Sequence, residues 1–182
     1  TGLVAYRAVI PKKENIARDT DRFTKWWGKT TDSQIVTFPL GADNDVFIFA
    51  TTPQDSWPHE SWSIEGDADE LRAAYADYHE DARALLAPCR HVLKTALYVR
   101  DPLACWTQGR ITLMGDAAHP MMPFMAQGAG CAIEDAIVLA RCIKELGAAP
   151  GALERYQQLR QPRADRIQEG SNGNNWLRNG GN

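Results

Sequence analysis

The stretch GRITLMGDAAHPMMPFMAQGAGCAIEDA, residues 109–136, decides how this chain is read. A short apolar run at residues 111–114 ends on Gly115 and Asp116. A loop carrying Pro120 and Pro123 follows, and Gly128, Ala129 and Gly130 open a helical pattern. Periodicity makes this a strand, expected to be buried on both faces, then a loop, then a helix. A carboxylate at the end of such a strand is placed to accept hydrogen bonds from sugar-like hydroxyls, because ligands of α/β folds sit in the crevice beyond the strand ends. Asp116 is that carboxylate. Gly128 and Gly130 let backbone N–H groups approach a ligand at a helix N-terminus, where aligned peptide dipoles leave about half a positive charge. Tight packing explains the same glycines equally well, since glycine-opened helices occur throughout α/β proteins.

Downstream, the helix carries Ile133, Ile137, Ala140, Ile143 and Leu146 on one face and stops at Gly147. Another begins near Pro150 with Leu153, Tyr156 and Leu159, and Pro162 is expected to kink or divide it. Residues 171–182 are expected to be loosely held unless Trp176 docks. Upstream, LVAYRAVI (residues 3–10) is a strand, and residues 15–27, with Ile16, Phe23, Trp26 and Trp27, suggest a short helix. Residues 34–40 and 45–51 form a hairpin across GADN, and residues 61–65 add a strand. Asp67 caps a helix with Glu70 as its capping-box partner, and Leu71, Ala74, Tyr75, Tyr78, Ala82, Leu85 and Leu86 follow as one apolar face. A strand at residues 93–99 completes an α/β chain of the α+β type with a largely antiparallel sheet.

The 182 residues are 44% hydrophobic and 24% charged with a formal net charge of -3, which suits a folded domain and draws it toward neither nucleic acid nor anionic lipid. A small-molecule partner is expected. No apolar run approaches the ~20 residues that span a bilayer, so the chain is read as cytoplasmic. Cys89, Cys105, Cys131 and Cys142 show neither a C-x-x-C pair nor metal-ligand spacing and are read as reduced, buried thiols.

Taken whole, residues 115–130 resemble the second FAD-binding motif of the flavoprotein aromatic hydroxylases, the family of para-hydroxybenzoate and salicylate hydroxylases. Gly115, Asp116, Ala117, Ala118 and His119 precede a proline loop, and Gly128 and Gly130 precede a helix. TGLVAYRAVIP (residues 1–11), RDPL (100–103) with Trp106, and YQQLRQPR (156–163) resemble other parts of that family, so the likeness runs over residues 1–170. The resemblance implies an FAD-dependent monooxygenase that hydroxylates an aromatic acid or phenol through a flavin C4a-hydroperoxide, with NADH or NADPH and O2 as co-substrates. It implies that Asp116 holds the ribityl chain, that Gly115 allows its close approach, and that Gln127, Gly128, Ala129 and Gly130 face the flavin ring. Pro123 and His119 become the candidate catalytic residues, His119 more as an organiser of its loop than as a proton carrier. Arg7, Phe124 and Met125 become candidates for substrate binding. The implied domains are a substrate-binding domain at residues 1–100, the C-terminal part of a Rossmann-like FAD-binding domain at 101–170, and a flexible tail at 171–182. A homo-oligomer is left open.

Ala126 stands where the family often has glycine, a change that is tolerable if its φ is negative. Phe124 replaces a histidine frequent in salicylate hydroxylases, and the surroundings of Glu65, Gly66, Asp67 and Trp106 resemble 6-hydroxynicotinate 3-monooxygenase-like members. No G-x-G-x-x-G turn occurs in these residues, so the chain is expected to be a fragment that binds FAD weakly on its own and exposes apolar surface. The rival reading is a non-catalytic binding domain that keeps the scaffold without FAD. Glu134 and Asp135 point in different directions from a helix and are read as compensating its N-terminal charge. Tyr6 and Arg7 alternate on a strand, so at most one of them faces a substrate.

Overall fold

The computed structural model describes residues 1–173 apart from Ile16, Asp19 and Glu60. They fall into two compact units, one ending at Leu97 and the other beginning at Tyr98. Among the described residues no helix is long and apolar enough to cross a membrane. The chain combines helices with a wholly antiparallel main sheet, the α+β class expected from its sequence.

The first unit is built on a six-stranded sheet. Its strands are β1 (Leu3–Ile10), β2 (Thr24–Trp27), β3 (Gln34–Leu40), β4 (Asp45–Pro53), β5 (Glu65–Gly66) and β6 (Val92–Ala96), in the order β2-β3-β4-β1-β6-β5. Strand β1 lies inside the sheet, paired with β4 and β6, which is why its residues are β-branched and apolar. Alternation sends Val4, Tyr6, Ala8 and Ile10 into the core with Ile35, Ile48 and Ala50, beneath helices α1 (Ala68–Ala74) and α2 (Glu80–Leu86). The β3–β4 turn works as its composition suggests, with Gly41 at φ 69° and Asn44 at φ 55°.

Four local expectations are corrected. The described residues of 15–27 form no helix: Lys12–Glu14 is a 3-10 turn, and Thr24–Trp27 pairs along β3 as an edge strand. The Asn15 side chain accepts the Ala17 N–H at 3.1 Å and so offers the backbone an alternative to helical bonding. The helix expected from Asp67 to Leu86 is two helices, and the strand at residues 61–65 is reduced to Glu65–Gly66. The break holds Tyr75 and Tyr78 with their hydroxyls at the Thr51 carbonyl (2.6 Å) and Ser33 Oγ (2.9 Å). Asp67 does cap α1, accepting the Asp69 N–H at 2.7 Å, but Glu70 does not complete a capping box. It accepts instead from Lys94 Nζ at 2.5 Å, because Lys94 is 1% exposed and a buried ammonium demands a counter-charge.

The second unit packs two long helices, α3 (Gly128–Leu146) and α4 (Pro150–Gly173), against a small hairpin of β7 (Thr107–Gln108) and β8 (Ile111–Thr112). Trp106, Ala118, Cys142, Ala152, Tyr156 and Ala164 form its core. The strand at residues 111–114, expected to be buried on both faces, is a two-residue strand with Ile111 71% exposed, since its described pairing partner is the short β7 alone. Pro162 does not divide α4, which runs unbroken through it. Cys105 is exposed, unlike the three other thiols. On α3 the aliphatic stripe faces outward: Ile133 is 63% exposed, with Ile137, Ile143 and Leu146 also open, while Cys131, Asp135 and Cys142 face in. Ser171, expected in a loose tail, is buried near the end of α4 and donates to the Met122 carbonyl. Residues 174–182 of that tail, Trp176 among them, lie outside the described residues.

Removing the Tyr75 hydroxyl tests the inter-helix break. Tyr75→Phe is expected to lower stability by about 1 kcal/mol, the usual net value of one buried hydrogen bond, as a lower urea midpoint. An unchanged midpoint would show that this bond does not hold the break.

Candidate functional site

After β8 the chain enters a 3-10 turn at Gly115–Ala117. Gly115 takes φ +58°, and a Cβ there would lie 3.3 Å from the Ala132 Cβ, so a glycine lets the turn lie close on α3. This places Asp116 at the surface beside the start of α3. The first amides of α3 have no acceptor within the helix, and Gln127, its N-cap, makes no side-chain capping bond. A Cβ at Gly130 would meet nothing within 4 Å, and one at Gly128 only Asp116 Oδ1 at 3.9 Å. Internal packing therefore does not require these glycines. They leave an open, amide-lined floor with a carboxylate at its side, a place where an electron-rich carbonyl and neighbouring hydroxyls would both find partners.

Beneath this floor lies a buried polar cluster. Asp135 accepts from Arg160 Nε at 2.7 Å, from the Gly115 N–H at 2.9 Å and from His119 Nε2 at 2.6 Å. Burial by itself would raise the Asp135 pKa, but these donors outweigh it and hold the carboxyl below its ordinary value. His119 is 1% exposed, and its Nδ1 has no partner among the described residues. Because a carboxylate oxygen only accepts, Nε2 is a protonated ring nitrogen in the bond to Asp135. Glu134 points the other way, toward Arg163 (2.8 Å) and Arg160 (2.6 Å). Hydrogen bonds from Arg163 first, then Arg160, bring its carboxyl down to about 2 against the opposing effect of burial. The two acids thus serve as ion-pair partners, where the sequence suggested only helix-end compensation.

The proline loop is tied down from α4. Gln168 Nε2 donates to the Pro120 carbonyl at 2.8 Å, and Asn172 Oδ1 accepts the Met122 N–H at 3.2 Å. Pro123–Met125 is a 3-10 turn with Pro123 exposed and Phe124 buried. Met125 lies near α4, where a Cβ on Gly170 would stand 3.4 Å from its Sδ. Ala126 closes the turn at φ 53°, a left-handed conformation, so the negative φ that would make alanine an easy replacement for glycine here is not met.

Arg7 lies in the first unit on the face of β1 opposite Tyr6. Its guanidinium stacks 4.9 Å from the Trp62 ring centroid and donates to the Trp62 carbonyl, and burial lowers its pKa. Gly115, Asp116, Gln127, Gly128, Ala129, Gly130, His119, Pro123, Phe124 and Met125 all lie in the second unit.

The profile of the FAD binding domain family matches residues 8–171. The chain belongs to that family. This FAD-binding-domain chain is 39% identical to 6-hydroxynicotinate 3-monooxygenase of Pseudomonas fluorescens over 182 residues, 97% of this chain and 47% of that enzyme. It is 36% identical to salicylate hydroxylase of Pseudomonas putida over 150 residues, 77% of this chain and 35% of that one. A solved salicylate hydroxylase substrate complex superposes with a TM-score of 0.82 at 27% identity, covering 96% of this chain and 46% of that structure. The chain thus spans less than half the length of each relative named.

Sequence reasoning singled out Asp116 and the glycines, which the fold brings side by side, but gave Arg160 and Lys94 no role. Asp135 is fully buried, and a buried acid needs a cation on a neighbouring element.

Two outcomes follow from this geometry. Ala126→Gly relieves a left-handed cost of about 1–2 kcal/mol and gives back about 0.5–1 kcal/mol in chain entropy, so a net stabilisation near 0.5–1 kcal/mol is expected in chemical denaturation. A loss of stability would show that the turn prefers a side chain. The depressed Glu134 carboxyl contributes stability that is fully present above its ordinary 4.5 and lost as pH falls toward about 2. Asp135 acts in the same direction. Glu134→Gln lacks the Glu134 part at every pH, so its gap in unfolding temperature from the wild type should close on acidification through that window. A gap that widens would refute the assignment.

Proposed function

We propose that the chain supplies the flavin-facing turn and helix, together with a substrate domain at residues 1–100, of an FAD-dependent monooxygenase acting on an aromatic acid or phenol. Residues 101–170 would then be part of the FAD-binding domain. The observation that carries this reading is the Asp116 carboxylate standing beside an uncapped helix start whose glycines are open above. Membership of the FAD binding domain family and relatives named for aromatic acids support it.

The residues present fit the cofactor. Asp116 would take the ribityl hydroxyls, and the amides of Gly128, Ala129 and Gly130 the electron-rich edge of the ring, with Gln127 beside them. When bound, FAD would supply reduction by NADH or NADPH and activation of O2 for transfer of one oxygen atom to the aromatic ring. The protein's own contribution is placement and charge. The positive end of α3 favours negative charge developing at the ring edge, and Gly115 keeps the turn low enough for close approach. Pro123, held rigidly by its neighbours' bonds to α4, would border the reacting region, with Phe124 and Met125 behind it. His119 is assigned to ordering its loop, because its one bonded ring nitrogen is committed to Asp135. Arg7 would receive a substrate carboxylate after exchanging its bond to the Trp62 carbonyl. A cytoplasmic setting would give this chemistry its pool of nicotinamide cofactor.

Asp116→Ala in the intact natural protein tests the reading. Loss of charge-assisted bonds worth ~1.5–3 kcal/mol should weaken FAD about 10- to 100-fold, measured by quenching of flavin fluorescence on titration. Undiminished affinity refutes the role of Asp116. Should the wild type take up no FAD at all, the scaffold would be a binding domain without the cofactor.

A further inference from the structure

The floor of the candidate cofactor site converges on one side chain that the proposed chemistry leaves idle. Asp135 is fully buried, and both of its oxygens are filled by donors from other segments. Oδ1 takes Arg160 Nε of α4 at 2.7 Å, and Oδ2 takes the Gly115 N–H at 2.9 Å and His119 Nε2 at 2.6 Å. Gly115 and His119 are also joined directly, the His119 N–H donating to the Gly115 carbonyl at 2.9 Å. The loop that carries Asp116 is therefore pinned at both ends to a single carboxylate. That carboxylate belongs to the same helix whose first residues are Gly128, Ala129 and Gly130.

Stability alone does not explain a charge in this position. Replacing a buried ion pair with apolar groups of similar volume is often neutral or stabilising, so the pair is weak evidence of a stabilising role. A carboxylate offers something that an aliphatic side chain cannot, which is fixed direction toward several donors at once. Its bonds set where the Gly115 turn rests against α3. The left-handed φ of Gly115 then carries Asp116 to the helix start, its Oδ1 3.9 Å from where a Gly128 Cβ would be.

We propose that Asp135 is a positioning residue: by holding Gly115 and His119 to α3, it sets the spacing between the Asp116 carboxylate and the α3 amides, and with it the fit of a flavin gripped at both places. This rests on the flavin-site reading above and extends it to a buried group that touches no ligand. Arg160 keeps the Asp135 charge in register from α4, and Glu134 steadies Arg160 in turn through Nη1 at 2.6 Å.

A double-mutant cycle in the intact natural protein tests the proposal, with FAD affinity from fluorescence titration and the unfolding temperature of the apo-protein as readouts. Asp135→Asn is expected to weaken FAD about tenfold when Asp116 is present and less than about twofold when Asp116 is already alanine. The fall in apo-protein unfolding temperature should be the same in both backgrounds. A merely structural Asp135 would weaken FAD by equal factors in the two backgrounds, and that result, or undiminished affinity in Asp135→Asn, overturns the proposal. His119→Gln removes one pin while leaving the Asp135–Arg160 pair, and is expected to show the same non-additivity at smaller size. It carries the test, with the same overturning results, if Asp135→Asn does not fold. Unchanged FAD affinity in Asp116→Ala alone sinks the flavin-site reading and takes this proposal with it, a failure recognisable before any change at Asp135.

Discussion

A charge can stay inside a fold only where donors or counter-charges surround it, and each unit of this chain is arranged around one such charge. In the second unit it is Asp135, which draws α4, the Gly115 turn and the His119 side chain onto α3. In the first it is Lys94, buried on β6 with its ammonium against Glu70 and over the rings of Tyr6 and Trp57 at 5.0 and 4.5 Å. Gly66 makes room for that lysine, since a Cβ there would stand 2.8 Å from the Lys94 Cβ. The same requirement explains a glycine on an edge strand, a helix acid that gives up its capping position, and the tight seating of the Gly115 turn.

The path from sequence to site in the second unit is short. A glycine permits a left-handed turn, the turn places an acid at the surface, and two further glycines keep the first turn of a long helix clear. Underneath, charged side chains hold the pieces in register, and from α4 Gln168, Ser171 and Asn172 fasten the loop that leads back into α3. Placement comes from polar bonds between elements more than from the modest aromatic and alanine core of Trp106, Tyr156, Ala152 and Ala164.

Features governed by neighbours in sequence were legible. The β1 run, the Gly41 and Asn44 turn, the Asp67 cap and the left-handed Gly115 turn all follow from residue chemistry acting over a few positions. Features decided by distant partners were not. Thr24–Trp27 becomes a strand because β3 supplies its bonds, and the Asn15 side chain diverts the backbone that might have begun a helix. Ala126 is held left-handed in a loop whose anchors lie on α4, information that no local pattern carries. Glu134 and Asp135 were correctly expected to diverge, but their cation lies far along the chain on another helix. An aliphatic stripe on α3 was equally plain, yet a stripe says only that a surface is greasy and not which way it will face.

On α3, Asp135, Cys131 and Cys142 face inward beside Val138 and Leu139, which pack on the core of this unit, while Ile133, Ile137 and Leu146 lie outward. Polar replacements on the outward aliphatic positions are the mild ones for folding of this unit, while an apolar replacement at inward Asp135 leaves Arg160 with Glu134 as its remaining carboxylate partner among the described residues.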